Sequence, residues 1–169
     1  MCFDLPSPYQ LESDLLARLS GCPVHQRCVA GQGELLLVAH EVPMPGVPER
    51  EALFFWKRED NQWLQPSGCE GLHELADLIE RYAMTTDAHE EELNVTDQAA
   101  SLFAILRHCG PLVRSLRNMA NAFEQVMAID QEDRAMMGML DRAHELVRAA
   151  ELLHSDGKMA LQLQQAEQA

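Results

Sequence analysis

"SLFAILRHCGPLVRSLRNMANAFEQVM", residues 101–127, decides the fold, because its apolar residues recur at a spacing that only a helix can use. With Leu102 taken as heptad position a, the a positions are Leu102, Cys109, Leu116 and Phe123. The d positions are Ile105, Leu112, Met119 and Val126, and Leu106, Val113, Ala120 and Met127 fill e. All are apolar or a thiol, so three adjacent rows form one broad stripe. The register runs unbroken through Gly110 and Pro111. Proline removes a backbone donor and bends a helix, but a continuous register predicts one bent helix, not two.

Downstream, "IDQEDR" (129–134) interrupts the pattern and puts acids where a helix start favours them. The register then resumes, with Met136, Ala143, Ala150 and Gly157 at a, Met139, Leu146, Leu153 and Ala160 at d, and Leu140, Val147, His154 and Leu161 at e. Two helices joined by a short acidic turn predict an antiparallel hairpin over residues 97–166. Small residues at a in the second helix would let the backbones approach closely. A three-row face is wider than a two-stranded seam uses. It must therefore also cover the N-terminal part or a second copy, and a dimeric four-helix arrangement is the expectation. Leu116, Met119, Phe123, Leu146 and Leu153 are its central core or interface residues.

Upstream, "YQLESDLLARLSG" (9–21) reads as a short amphipathic helix stopped by Gly21. "VHQRCVA" and "ELLLVAHEV" read as strands separated by "GQG", and "ALFFWKR" and a short run at Trp63 as two more, separated by "EDNQ". The prolines of "PMPGVPE" (43–49) exclude regular structure there. "GCEGLHELADLIERYAM" (68–84) predicts a helix covering one face of this small antiparallel meander. The class is α+β: a domain over 1–84, a connector over 85–96 with Asp87 and Thr96 as candidate helix caps, and the hairpin.

Acidic side chains outnumber basic ones 27 to 13, for a net charge of −14. Such a surface repels phosphate backbones and anionic membranes, so neither nucleic acid nor membrane is an expected partner. No run approaches the ~18 apolar residues of a membrane-spanning helix. The first residues lack the basic-then-apolar pattern of a secretory signal. The 5 cysteines are odd in number and scattered, as free thiols in a reducing compartment are. Cytoplasm is the expected location.

Residues that could carry chemistry are few. "GCPVHQRC" (21–28) spaces Cys22, His25 and Cys28 evenly, but along a strand His25 and Cys28 point to opposite faces, so a turn and a strand are expected and not a zinc site. Glu151 and His154, at i and i+3, share a helix face as metal ligands in helical bundles do, and Cys109 of the facing helix falls near the same level. Asp141 and His144 repeat the spacing, but the facing helix has Ile105 three residues before His108, so no partner motif completes the set. Met136, Met137 and Met139 cluster at the start of the last helix and fit the seam. No phosphate-binding glycine loop, nucleophile elbow or zincin motif is present, and no cofactor is expected.

In layout, a small α/β domain followed by long heptad helices is similar to the soluble part of CorA-type magnesium channels. The similarity does not extend to a Gly-Met-Asn signature, whose nearest letters, "RNMAN" (117–121), fall in mid-helix. The residues themselves favour a non-enzymatic, oligomerising interaction or regulatory module, a homodimer through the C-terminal helices, open also to another protein partner. The alternatives are a metal-binding protein or metal-dependent enzyme using Glu151, His154 and Cys109, and a small-molecule sensor with a pocket beneath "PMPGVP". Burial of each seam side chain contributes about 1.5–3 kcal/mol. Leu116→Asp or Leu146→Asp should therefore unfold the hairpin or dissociate an oligomer; a variant with unchanged size and melting temperature would show that the seam is wrongly placed.

Overall fold

The computed structural model describes residues 26–31, 33–47, 50–65, 67 and 70–167. The expected helix at 9–21, together with Cys22 and His25, lies outside these. Within them the chain forms β1 (Arg27–Ala30), β2 (Leu35–His40), β3 (Ala52–Lys57), β4 (Trp63–Leu64), α1 (Gly71–Val95), α2 (Ala99–Ile129) and α3 (Arg134–Glu167). The α+β class read from the sequence is what the chain adopts.

The strands pair as an antiparallel meander in the order β1-β2-β3-β4. Leu37 faces Cys28 on one side and Phe55 on the other. The β1–β2 turn closes where the Gly31 amide donates to the Glu34 carbonyl at 2.9 Å, with Gly33 at φ +88°, a conformation that favours glycine. Side chains alternate along β2, which is buried on both faces. Leu35, Leu37 and Ala39 enter the main core, while Leu36 and Val38 pack with Val29 and Phe54 on the opposite face.

Three layers follow. α2 lies on β1 and β2, α1 lies on β3 and β4, and α3 packs across both helices from the far side. One continuous core joins Phe55 and Trp63 of the sheet, Leu75, Leu78 and Tyr82 of α1, Leu116 and Phe123 of α2, and Ala143 and Leu146 of α3. The a and d rows of α2 are fully buried, whereas Leu106 and Met127 at e are half-buried at the edge of the face. α2 is a single helix through Pro111. Gly71 lets α1 begin tight against β4, since a Cβ there would lie 3.1 Å from the backbone of Trp63 and Leu64.

The segment expected as a connector, 85–96, is instead almost wholly the C-terminal part of α1, which runs to Val95. Asp87 is therefore a mid-helix residue, Thr96 closes α1, and α2 begins after Gln98 without a side-chain cap. Thr85 and Thr86 fit the helix because their hydroxyls donate to the carbonyls of Arg81 and Tyr82, each at 2.8 Å. Packing against α3 stabilises this half of α1 beyond what its local propensity provides.

Two polar contacts fix the layers. Gln26 Nε2 donates to Ser115 Oγ at 3.0 Å, Ser115 Oγ lies 2.7 Å from Tyr82 Oη, and that hydroxyl donates to the His40 carbonyl at 3.1 Å. This buried chain joins β1, α2, α1 and β2. At the other end, Lys57 of β3 donates to Asp130 and, at 2.7 Å, to Asp133, the two aspartates of the hairpin turn. Trp63 Nε1 also donates to Asp133, at 3.0 Å, and Asp133 caps α3 by accepting the Met136 amide at 3.0 Å.

Burial works against the charge of Lys57, but the two carboxylates outweigh it and hold the ammonium above its usual range. The hydrogen bond from Lys57 holds Asp130 low. Burial pushes Asp133 up, yet its bonds from Lys57, the Met136 amide and Trp63 bring it below the ordinary carboxylate value. Stability from the acids is thus present above their unfolded pKa and lost as pH falls through the folded one; that from Lys57 is present below its unfolded pKa and lost only above the folded one. Lys57→Met leaves two acids facing each other and should cost about 3 kcal/mol near neutrality, and less in acid, where the acids protonate. Urea unfolding at neutral and acid pH checks this; a loss independent of pH would contradict it.

Candidate functional site

The five seam residues are core. Leu116, Met119 and Phe123 are completely buried, and Leu146 and Leu153 are 4% exposed. What covers the broad face is this chain's own sheet and α1, so the seam is not free to receive a second copy.

The candidate ligands are placed apart in function. Cys109 is buried with Ile105, Leu153 and Leu93, and burial pushes its thiol up to about 11. Glu151 is held by Arg117, whose Nε donates to Oε1 at 2.8 Å and whose Nη2 reaches the same oxygen. His154 is pushed below its usual pKa by burial and by the Lys158 ammonium. His144 faces Glu124 across the hairpin, Nε2 to Oε1 3.0 Å, and not Asp141. Among the described residues no group of three or more His, Cys, Asp or Glu is arranged to hold a metal ion. Cys28 sits in β1 as expected, its thiol pushed by burial up to about 12.

Clefts flank α2 on both sides of Gly110 and Pro111. Residues 43–45 line two of them, of about 430 and 550 Å³. The smaller is lined by Arg50, Arg107, His108 and Pro111, and the larger by Arg81, Met84, His89 and Glu92. His89 and His108 meet there with ring centroids 5.4 Å apart. Burial and the His89 charge push His108 below its usual range. A cleft beneath residues 43–47, which no residue pattern identified, is thus present.

On the other side, a groove of about 510 Å³ opens between α2 and α3. Its floor is Gly110 and Val113, and its walls carry Arg114, Arg117, Glu151, His154, Ser155 and Lys158. A sequence signal for it existed. Residues 99–123 contain three arginines and no acid, in a chain where acids outnumber bases two to one. Heptad reading, which follows apolar rows, passes over it.

A third feature is the outer face of α3. Leu152, Met159 and Leu163 are 64%, 53% and 67% exposed. Their spacings of seven and four put them on one line of the helix, opposite the buried Ala150 and Gly157.

No protein-family model and no curated protein matches the chain. Solved structures do. The full-length CmaX protein is similar with a TM-score of 0.72 at 13% identity, over 96% of this chain and 64% of that one. The cytoplasmic domain of ZntB from Vibrio parahaemolyticus RIMD 2210633 is similar with a TM-score of 0.58 at 8% identity, over 94% of this chain and 80% of that one. The chain thus spans about two thirds of the length of CmaX, and at these identities what it shares with both is the fold.

Proposed function

We propose that this chain is a non-enzymatic cytoplasmic interaction module that self-associates through the outer face of α3. The observation that carries the reading is the line of Leu152, Met159 and Leu163, exposed on the side of α3 that faces away from α1 and α2 and that no other described element packs against. The similarity to a cytoplasmic domain supports the location, and among the described residues no helix is long and apolar enough to cross a membrane. The occupant is a second copy, because a self-complementary apolar line is what a two-fold contact requires.

The contact is weak. Three partly exposed side chains from each copy contribute on the order of 6–10 kcal/mol, and lost translational and rotational freedom offsets most of it. A dissociation constant of a few hundred micromolar or weaker, on the order of millimolar, follows. Sedimentation equilibrium of the full chain should show reversible dimers that Leu152→Glu with Met159→Glu abolishes, leaving the melting temperature within about 2 °C because both positions are exposed. A wild type that shows no dimer at several millimolar, or a variant of unchanged mass, would refute the reading.

A further inference from the structure

We propose that the groove between α2 and α3 is a binding site for a compact, multiply charged anion of the phosphate class. In a chain of net charge −14, Lys57, Arg58, Arg81, Arg117 and Arg142 are ion-paired among the described residues. Arg117 grips Glu151 with two nitrogens on one oxygen, which offsets the one carboxylate among the described residues lining the groove. Arg114 and Lys158, on the two walls of the same groove, have no ion-pair partner among the described residues. The acid-free stretch of α2, residues 99–123, accounts for this locally.

The shape suits a small ligand. The volume lies within the range of small-molecule sites. Gly110 leaves the floor open, with nothing within 4 Å of where its Cβ would stand. The Ser155 hydroxyl adds a neutral donor beside the two free cations, and forked guanidinium and ammonium donors together match phosphoryl oxygens. A nucleic acid or acidic peptide is a poorer fit, because either would extend over the acidic surface beyond the groove and be repelled there. A compact anion stays within the cationic patch.

His154 gives the site a proton linkage. It shares the groove with Arg114, Arg117 and Lys158, and with Glu151, whose charge Arg117 already cancels. Empty, the groove keeps the imidazole neutral near pH 7, through burial and the neighbouring ammonium. A bound polyanion favours the imidazolium, so binding takes up a proton and tightens as pH falls towards about 6.

Isothermal titration of the full chain with inorganic pyrophosphate, at constant ionic strength, tests the site. Wild type should bind one pyrophosphate, undiminished when sodium chloride replaces another monovalent salt of equal concentration. Each of Arg114→Gln and Lys158→Gln should weaken binding about tenfold. Arg107→Gln, in the cleft across the helix, should leave it unchanged. His154→Gln should keep binding at pH 8 and, at about pH 6.5, remove the part of the proton uptake that exceeds the ligand's own titration, seen by comparing two buffers of different ionisation enthalpy. Absence of binding by wild type would overturn the proposal. So would binding that survives loss of both Arg114 and Lys158, or that falls equally with Arg107→Gln, which would mark a diffuse charge effect.

Discussion

Burial of α2 on two sides at once is the constraint on which the other elements depend. Its Leu112, Leu116, Met119 and Phe123 are too broad an apolar face for one helix to cover. The sheet takes one flank, α3 takes the other, and α1 fills the angle between them. At about 1.5–3 kcal/mol for each fully buried side chain, this shared core dominates the folding free energy, and neither the sheet nor the hairpin retains its cover without the other. The small a-position residues Ala143, Ala150 and Gly157 follow from the same constraint, since α3 must sit close enough to touch both α1 and α2.

Charge completes what burial begins. Lys57 and Trp63 draw Asp130 and Asp133 to the sheet, so the hairpin turn has a fixed place on β3 and β4. Arg81 does the same for the start of the 43–47 loop by holding Glu41 through Nε and Nη2, each at 2.9 Å. What remains is an acidic exterior with a basic face on α2. The structure therefore separates its two proposed surfaces: an apolar line on the back of α3 for a second copy, and a cationic groove on the flank of the hairpin for a small anion.

Much of the fold was legible in the sequence, because it rests on periodicity. "GQG" and "EDNQ" mark the turns of the meander, and the a, d and e rows locate the hairpin and its turn to within a residue or two. Less legible was what lies against those rows, since a heptad pattern states that a face is buried but not by what. Of the two covers that the pattern left open, a second copy or the N-terminal part, the chain's own sheet and α1 are what lie on the seam. The segment 85–96 misled because threonines and an acid run disfavour a helix locally, while back-bonding by Thr85 and Thr86 and the support of α3 lie outside any local window. Site residues were the least legible. Glu151 and His154 have ligand spacing, but only three dimensions show that Arg117 occupies the first and Lys158 faces the second.

The central claim, that sheet and helices share one core and unfold as one unit, is tested most directly by urea unfolding followed with two probes. Trp56 of β3 and Trp63, buried where the sheet meets the hairpin turn, together report the sheet through their fluorescence, and far-ultraviolet circular dichroism reports the helices. A shared core predicts coincident transitions with the same midpoint and the same slope. A fluorescence change completed while most of the helical signal persists would show that the hairpin stands without the sheet, and would contradict the account.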